Sequence, residues 1–362
     1  MPILSNFPSG ISDSVQQNID AKQPKITSAG LLKGDGSGNI TAAEAGVDYV
    51  RPSVTTDIYS KISKITPIAG DGIEIDDSAS GQKIHARYVN PSFIVNGYFG
   101  NPVNQRGKSV YTGTGYGFDD WKATNANVKV VFTTYKGITM QTTDDTVRPF
   151  LQQRIENFEE LLGHTVTLSL MTREGALFHA TEKLPDTLVA DSGYCQVTNV
   201  AYLLLYNNEL YVRIRTNPDA DSPLTEIAVK AIKLELGSKQ TLAHKDTDGK
   251  WVLNEIPNYS TELAKCQRYL VPLASDLAAS TIIGTGTIFF FVPLPVTMRT
   301  TPTISENNFK VRSGNGVDQT GFTFEVYAIR ANGVVIKATK ASHGLTSATL
   351  NAGSRTLLSA EF

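Results

Sequence analysis

Between residues 91 and 237, apolar and polar side chains alternate with a period of two in one segment after another. Such alternation is typical of β-strands with one buried and one exposed face, and Gly, Asn and Asp separate the segments as turn residues do. The pattern predicts an antiparallel β-sandwich with a hairpin turn at Asn207 and Asn208. The alternating segments are 128–133, 137–142, 165–171, 197–206, 209–215 and 227–236.

A second group of alternating segments predicts a smaller β-sandwich over residues 271–362. Residues 238–270 separate the two sandwiches and predict a hinge with a short helix near 261–268, capped by Ser260. Another short helix is predicted at 155–162, ended by Gly163. The 29 glycines and the charged fraction of 19% fit strands and turns better than long surface helices.

The first 65 residues have a different pattern. Ile11, Val15 and Ile19 recur every four residues among polar side chains, which predicts a short helix that begins near Ser9 or Ser12 and ends at Pro24. A helix this short is marginal alone, so we expect copies of the same chain to cover its apolar stripe. A hairpin is predicted within residues 30–41, and a second weak helix or coil at 54–65.

Residues 66–90 predict a small β unit with turns at 70–72 and 78–81. Its few strands hold too little apolar material for a core within one chain, whereas three chains together supply enough. Both this unit and the Ile11, Val15 and Ile19 stripe therefore predict a homotrimer.

Charge and hydropathy exclude two classes of partner. The formal net charge is −2 at pH 7, so no basic excess neutralises nucleic-acid phosphates. The longest apolar stretch, residues 288–295, is far shorter than the ~20 residues of a membrane helix. Residues 1–10 lack the features of a secretory signal, so we expect synthesis in a cytoplasm.

Neither cofactors nor bound metals are expected. Cys195 and Cys266 have no partner spacing for a metal site and are predicted to be buried free thiols. The five histidines are scattered, with no zinc or hydrolase motif around them. Glu156, Glu159 and Glu160 are predicted to form the solvated face of the short helix.

One enzyme hypothesis stays open. A glycosidase needs two carboxylates across a cleft, and Asp119 or Asp120 with Asp144 or Asp145 are candidates for that pair. The simpler interpretation places these aspartates at turns and strand ends.

Two loops have the composition of a saccharide-binding site. Glycines in the segment 111–121 would leave Tyr111 and Tyr116 accessible for stacking on sugar rings, whereas Trp121 is predicted to pack in the core. The polar, glycine-rich segment 311–322 carries the second group of candidate glycan contacts, to which a nearby turn adds one histidine. These residues are Arg312, Asn315, Asp318, Gln319 and His343.

Four segments together resemble tail and baseplate proteins of tailed bacteriophages. Segment 21–43 resembles the N-terminal shaft of these proteins. Asn-Gly-Tyr-Phe at 96–99, Asn-Gln-Arg-Gly at 104–107 and Asp-Asp-Trp-Lys at 119–122 resemble the start of their jelly-roll module. Leu-Glu-Leu-Gly at 234–237 and Leu-Ala-Lys-Cys-Gln-Arg-Tyr at 263–269 resemble the end of that module and the following hinge helix. Segment 291–304 resembles the opening of their terminal sandwich.

The resemblance implies a trimeric virion protein at the tail tip or baseplate, attached to other tail proteins by its N-terminus and recognising the host through its distal domains. The expected fold is mainly β. A helical and β-hairpin stalk (1–65) is followed by an interchain β shoulder (66–90), a jelly-roll-like sandwich (91–237), a hinge (238–270) and a terminal sandwich (271–362). The expected function is attachment to a bacterial surface polysaccharide, without catalysis. The alternatives are a connector that presents another adhesin, a polysaccharide depolymerase, and a hinge that binds a chaperone or a neighbouring tail protein.

Overall fold

The computed structural model describes residues 32–34, 37, 40–42, 73–78, 81–86, 89–133, 135–142, 144, 149–187, 191–216, 225–274 and 276–362. Within these residues the protein is mainly β, with antiparallel sheets and a single α-helix. No helix among them is long and apolar enough to cross a membrane.

Two short hairpins lie near the N-terminus. Strand β1 (Leu32–Gly34) pairs with β2 (Ile40–Ala42), which confirms the predicted hairpin, and β3 (Ile73–Ser78) pairs with β4 (Gly81–Ala86). The predicted helix with Ile11, Val15 and Ile19, and the weak helix at 54–65, lie outside the described residues.

Residues 89–236, the first β region, form two six-stranded sheets that share one apolar core. In sheet A the order is β13 (Ser192–Val197), β14 (Ala201–Tyr206), β15 (Glu209–Arg215), β10 (Phe150–Arg154), β7 (Lys122–Ala123) and β6 (Gly115–Tyr116). In sheet B the order is β12 (Leu177–Lys183), β11 (Thr165–Thr172), β16 (Glu226–Leu236), β9 (Gly137–Thr142), β8 (Val128–Thr133) and β5 (Val110–Thr112).

Strand β15 shows how alternation builds this region. Leu210, Val212 and Ile214 point into the shared core, and the residues between them are half-buried on the outer face of sheet A. The turn before β15 holds Asn207 and Asn208 at φ values of 51° and 58°, the left-handed pair that a two-residue hairpin requires. The predicted hairpin is confirmed.

The middle of sheet B is covered on both faces. Met171 and Ala231 belong to a second apolar cluster with Leu242 and Ala243, which follow the sheet in the chain. A buried polar network holds residues 241–243 against strand β16 of sheet B. In it, Thr241 donates its main-chain N–H to Glu235 at 2.6 Å, and Lys233 donates to the Thr241 hydroxyl at 2.7 Å.

The connecting segment contains β17 (Ala243–Lys245), β18 (Trp251–Leu253) and helix α1 (Tyr259–Gln267). The prediction that Ser260 caps this helix was wrong. The Asn258 side chain accepts hydrogen bonds from the N–H groups of Ser260 (2.9 Å) and Thr261 (3.2 Å), so the helix starts earlier.

The other predicted helix, at 155–162, is reduced to a 3-10 turn at Phe158–Leu161. Asn157 precedes it with a φ of 55°, a left-handed conformation that prevents an α-helix from starting at residue 155.

Residues 270–362, the second β region, combine a seven-stranded sheet with a three-stranded one around a separate core. The larger, sheet C, has the order β24 (Asp318–Gln319), β23 (Lys310–Ser313), β27 (Ala348–Asn351), β20 (Asp276–Ile283), β21 (Thr287–Pro293), β26 (Gly333–Thr339) and β25 (Thr323–Arg330). The smaller, sheet D, has the order β19 (Leu270–Leu273), β28 (Thr356–Ser359) and β22 (Thr303–Glu306).

The large aromatic and sulfur side chains lie where the sequence predicts. Trp121 is completely buried, packs edge-on against Phe99 and donates its indole N–H to the carbonyl of Asn96 at 3.1 Å. Cys195 and Cys266 are buried free thiols.

Candidate functional site

A cleft of about 410 Å³ lies where sheet A, helix α1 and the end of the second β region meet. We call it the junction cleft. Its lining combines aromatic rings, amides and both signs of charge, contributed mainly by Tyr116, Lys122, Gln152, Arg154, Glu156, Glu209, Tyr211, Lys265, Arg268, Tyr269 and Phe362. A cavity of this size, with a few convergent polar groups, is typical of a small-ligand site.

The floor of the cleft is a row of side chains across three neighbouring strands of sheet A. Tyr116, Lys122 and Gln152 are directly opposite one another on β6, β7 and β10, so they share the outer face. Arg213 on β15 continues the row beyond the cleft lining, opposite Gln152. The Lys122 ammonium lies 5.5 Å from the centre of the Tyr116 ring. Arg213 donates to the side-chain oxygen of Gln152 at 2.8 Å. The row presents an aromatic ring, a cation and an amide side by side.

Two glutamates that line the cleft are already paired. Glu209 pairs with Arg154 at 3.0 Å and also accepts a hydrogen bond from the Tyr211 hydroxyl. Glu156 accepts from both terminal nitrogens of Arg268, at 2.8 and 3.1 Å, and from the Tyr269 hydroxyl at 2.6 Å.

The prediction of a solvated glutamate face is therefore wrong for Glu156. Glu159 and Glu160 are exposed as expected. Glu156 differs because it precedes the 3-10 turn and faces Arg268 and Tyr269, which follow helix α1.

Phe362 forms one wall of the cleft. Its ring lies between two guanidinium groups, 4.0 Å from that of Arg154 and 3.7 Å from that of Arg299. Its main-chain oxygen accepts a hydrogen bond from the Tyr116 hydroxyl at 2.6 Å. Stacking between cations and an aromatic face fixes the position of this wall against the first β region.

A buried carboxyl group, Asp120, lies at the edge of the cleft. Only 8% of the residue is exposed, and its Oδ2 atom has no hydrogen-bond partner in the described part of the chain. Burial raises the pKa of Asp120 well above its usual value, and the neighbouring carboxylates Asp119 and Glu361 raise it further. Arg106 and the thiol of Cys266 offset only part of this increase in the pKa of Asp120.

Behind Asp120, the guanidinium group of Arg106 lies near two other carboxyl groups. Arg106 forms an ion pair with Glu361 and lies 3.8 Å from Asp119. Gln105 donates to Asp119 at 2.7 Å and to the carbonyl of Leu270 at 2.7 Å. Burial raises the pKa of Asp119 to about 7, although these Gln105 and Arg106 contacts lower it. Residues 105, 106 and 119 of the first β region thus contact residues 270 and 361 at this junction.

Tyr111 and Tyr116, the two tyrosines predicted to contact a glycan, have different surroundings in the structure. Tyr116 lines the junction cleft. Tyr111 donates its hydroxyl to Asn104 at 2.6 Å and packs edge-on against Phe118, so it is a half-buried packing residue outside the cleft lining.

The other predicted residues lie on the second β region, away from the residues that line the junction cleft. Arg312 pairs with Asp318 and Asp276, each at 3.0 Å, so its guanidinium is engaged. Asn315 is exposed in the same hairpin, and Gln319 donates to the carbonyl of Val317 at 3.2 Å.

His343 contacts Phe322, the last residue of the predicted binding segment 311–322. It packs 5.7 Å from the ring of Phe322, and its Nδ1 accepts the main-chain N–H of Leu345 at 3.1 Å. The structure therefore brings Arg312 and Asp318 into contact, places Asn315 and Gln319 beside them, and leaves Tyr111 and Tyr116 elsewhere.

The aspartates proposed as a catalytic pair have separate surroundings. Asp119 and Asp120 precede β7 of sheet A, whereas Asp144 follows β9 of sheet B and accepts from Asn127 at 3.1 Å. Asp145 lies outside the described residues. Within the described ranges, no group of three or more His, Cys, Asp or Glu side chains is placed to hold a metal ion.

Sequence reasoning missed most of the cleft. The cleft residues on the outward face of β15, Glu209 and Tyr211, were visible as part of the polar half of an alternating strand. Arg268 and Phe362 gave no such signal, because they join the site only through contacts between segments far apart in the chain.

No known protein family, curated protein or solved structure matches this chain. The site is therefore identified by its geometry: a preformed cleft with an aromatic and amide floor, paired carboxylates and a buried carboxyl group of raised pKa.

Proposed function

We propose that this protein is a receptor-binding protein of a bacteriophage tail, and that it attaches the virion to a bacterial surface glycan in the junction cleft. The observation that carries the proposal is the floor row of Tyr116, Lys122 and Gln152, with the guanidinium groups of Arg154 and Arg268 in the same lining. A sugar ring offers apolar C–H faces and hydroxyl groups. An aromatic face covers the first, and planar amide and guanidinium groups hydrogen-bond the second.

The cleft supports this function without movement of its walls. Its volume of about 410 Å³ lies within the usual range for small-ligand sites. Phe362 is already held by Arg154, Arg299 and Tyr116, so little ordering is needed on binding.

The assembly we propose is a homotrimer at the tail tip or baseplate. The N-terminal residues dock to other tail proteins, and the two β regions, of which the first has jelly-roll topology, recognise the host. A single saccharide site binds weakly. Three linked sites per spike raise the avidity by ~10²–10⁴ without any new contact. Copies of the chain hold each other through the Ile11, Val15 and Ile19 stripe.

Binding to whole bacteria tests the proposal. Labelled protein is applied to a panel of strains, together with Gln152→Trp, whose indole fills the floor of the cleft whichever contacts the glycan uses. Gln141→Trp is the matched control, because Gln141 is a half-buried strand amide outside the cleft. Circular dichroism verifies that both variants fold.

We expect the wild type and Gln141→Trp to label the same narrow set of strains and Gln152→Trp to label none. Equal labelling by all three proteins would reject the junction cleft as the receptor site. If the wild type labels no strain, the adhesin function is rejected in favour of a connector that presents another adhesin.

Asp120 favours a second candidate function, cleavage of the bound glycan. Glycoside hydrolysis uses a carboxyl group of raised pKa beside a second carboxylate, and the cleft contains Asp120, whose pKa burial raises, together with Glu156 and Glu209. This function predicts release of reducing ends from host polysaccharide, abolished by Asp120→Asn and retained by the surface variant Asp318→Asn. Absence of release from the polysaccharides of all labelled strains rejects it.

A further inference from the structure

Among the described residues, the junction cleft contains one cation without a carboxylate partner. Four cations line it, and three of them have a carboxylate partner: Arg154 with Glu209, Arg268 with Glu156, and Lys265 with Glu262. Lys122 is the exception, because its ammonium has no carboxylate within ion-pair distance among the residues that the structure describes. This ammonium lies over the ring of Tyr116.

The carboxyl group of Asp120 does not form an ion pair with the Lys122 ammonium. Both residues line the cleft, but Asp120 is 8% exposed, and its carboxyl group is crowded by Asp119 and Glu361. Burial and these two like charges favour the protonated form. Lys122 therefore presents, on the floor of the cleft, an ammonium that no carboxylate of the described residues pairs.

The neighbour of Lys122 adds a second donor. Gln152 is directly opposite Lys122 on β10, so their β-carbons are about 5 Å apart. The side-chain oxygen of Gln152 already accepts from Arg213 at 2.8 Å, which orients the amide and leaves its NH₂ group as the remaining polar group. An ammonium and an amide NH₂ side by side match two oxygens of one acidic group.

We propose that the junction cleft selects saccharides with an acidic substituent, a carboxylate or a phosphate, whose oxygens accept hydrogen bonds from Lys122 and Gln152. The inference rests on the proposed glycan-binding function and specifies the class of glycan. A neutral sugar would leave the Lys122 charge partly desolvated and unpaired, which disfavours binding.

Binding to immobilised oligosaccharides tests this inference. The probes are uronic acid oligosaccharides, their carboxyl-reduced neutral counterparts, phosphorylated oligosaccharides and their dephosphorylated counterparts. The two acidic sets distinguish a carboxylate from a phosphate. The proteins are the full-length wild type, Lys122→Gln, and Lys129→Gln as the control, a half-buried strand lysine outside the cleft. Gln152→Trp reports whether any bound probe uses the cleft.

We expect the wild type and Lys129→Gln to bind acidic probes and not their neutral counterparts, and Lys122→Gln to bind the acidic probes about tenfold more weakly. Cleft-dependent binding of neutral probes, or acidic binding unchanged by Lys122→Gln, overturns the inference and leaves the glycan-binding function standing. Binding of no probe at all rejects both.

Discussion

Arg106 and Glu361 form an ion pair that joins the two β regions, although 255 positions separate them in the chain. The two side chains are only 13% and 4% exposed. Arg106 is also the cation nearest to Asp119, and Gln105 beside it bonds to Leu270 at the start of the second β region. The wall of the junction cleft is thus held by a few buried polar contacts.

The substitution Arg106→Ala tests how much this ion pair contributes to the free energy of unfolding. Removing the arginine leaves buried carboxylates without their cation, and breaking a buried pair in this way typically costs ~3 kcal/mol or more. We expect the free energy of unfolding, measured by chemical denaturation, to fall by about that amount. Arg312→Ala is the control, because its ion pairs are exposed and contribute much less. Equal losses in the two variants would show that the Arg106 contact is not structural.

The buried aspartates predict greater stability in mild acid. Burial raises the pKa of Asp119 to about 7 and that of Asp120 well above its usual value. The folded protein therefore keeps protons that the unfolded chain, with aspartate pKa values near ~4, releases. This contribution is complete below about pH 4 and is lost as the pH rises through about 7.

Thermal unfolding midpoints between about pH 5 and pH 8 measure this effect. The midpoint of the wild type should fall as the pH rises. Asp120→Asn should show a smaller fall, because its amide stays neutral throughout. Parallel curves for the two proteins would mean that Asp120 is already ionised in the folded state.

Gly137 is predicted to be irreplaceable in sheet B. Its φ is +94°, and a β-carbon added there would lie 2.2 Å from the carbonyl oxygen of Val229 on the neighbouring strand. Gly175 also has a positive φ, +88°, but nothing lies within 4 Å of its added β-carbon. Gly175→Ala should cost about 1 kcal/mol of stability from backbone strain alone. Gly137→Ala should cost ~3 kcal/mol or more, since backbone must move as well. Equal losses in denaturant titrations would contradict the clash.

Local patterns explain why the strands were predictable and the cleft was not. The alternation of β15 and the Asn207 and Asn208 turn are properties of neighbouring residues, so they can be read from the sequence. The cap of α1 is also local, but two candidates, Asn258 and Ser260, both fit the preference. Only the geometry of the helix start separates them.

The cleft depends on contacts that no local pattern encodes. Tyr116 and Phe362 share a hydrogen bond across 246 positions. Asp120 looks like an ordinary turn aspartate in the sequence, and its burial arises because helix α1 and the second β region close over it. The sequence could therefore predict one residue of the site, Tyr116, but not its partners.

Cys266 makes the closure of the junction directly measurable. It is buried on helix α1 beside Asp120, and burial raises the pKa of its thiol far above the normal range. Cys195 lies in the core of the first β region, where burial raises its pKa to about 12.

Because the thiolate is the reactive species, both cysteines should react with a thiol reagent slowly in the native protein and fully after denaturation. In Arg106→Ala, Cys266 should react faster while Cys195 keeps its native rate, as identified by peptide mass spectrometry. Equal acceleration of both thiols would indicate global unfolding, and no acceleration would show that Arg106 does not hold the junction closed.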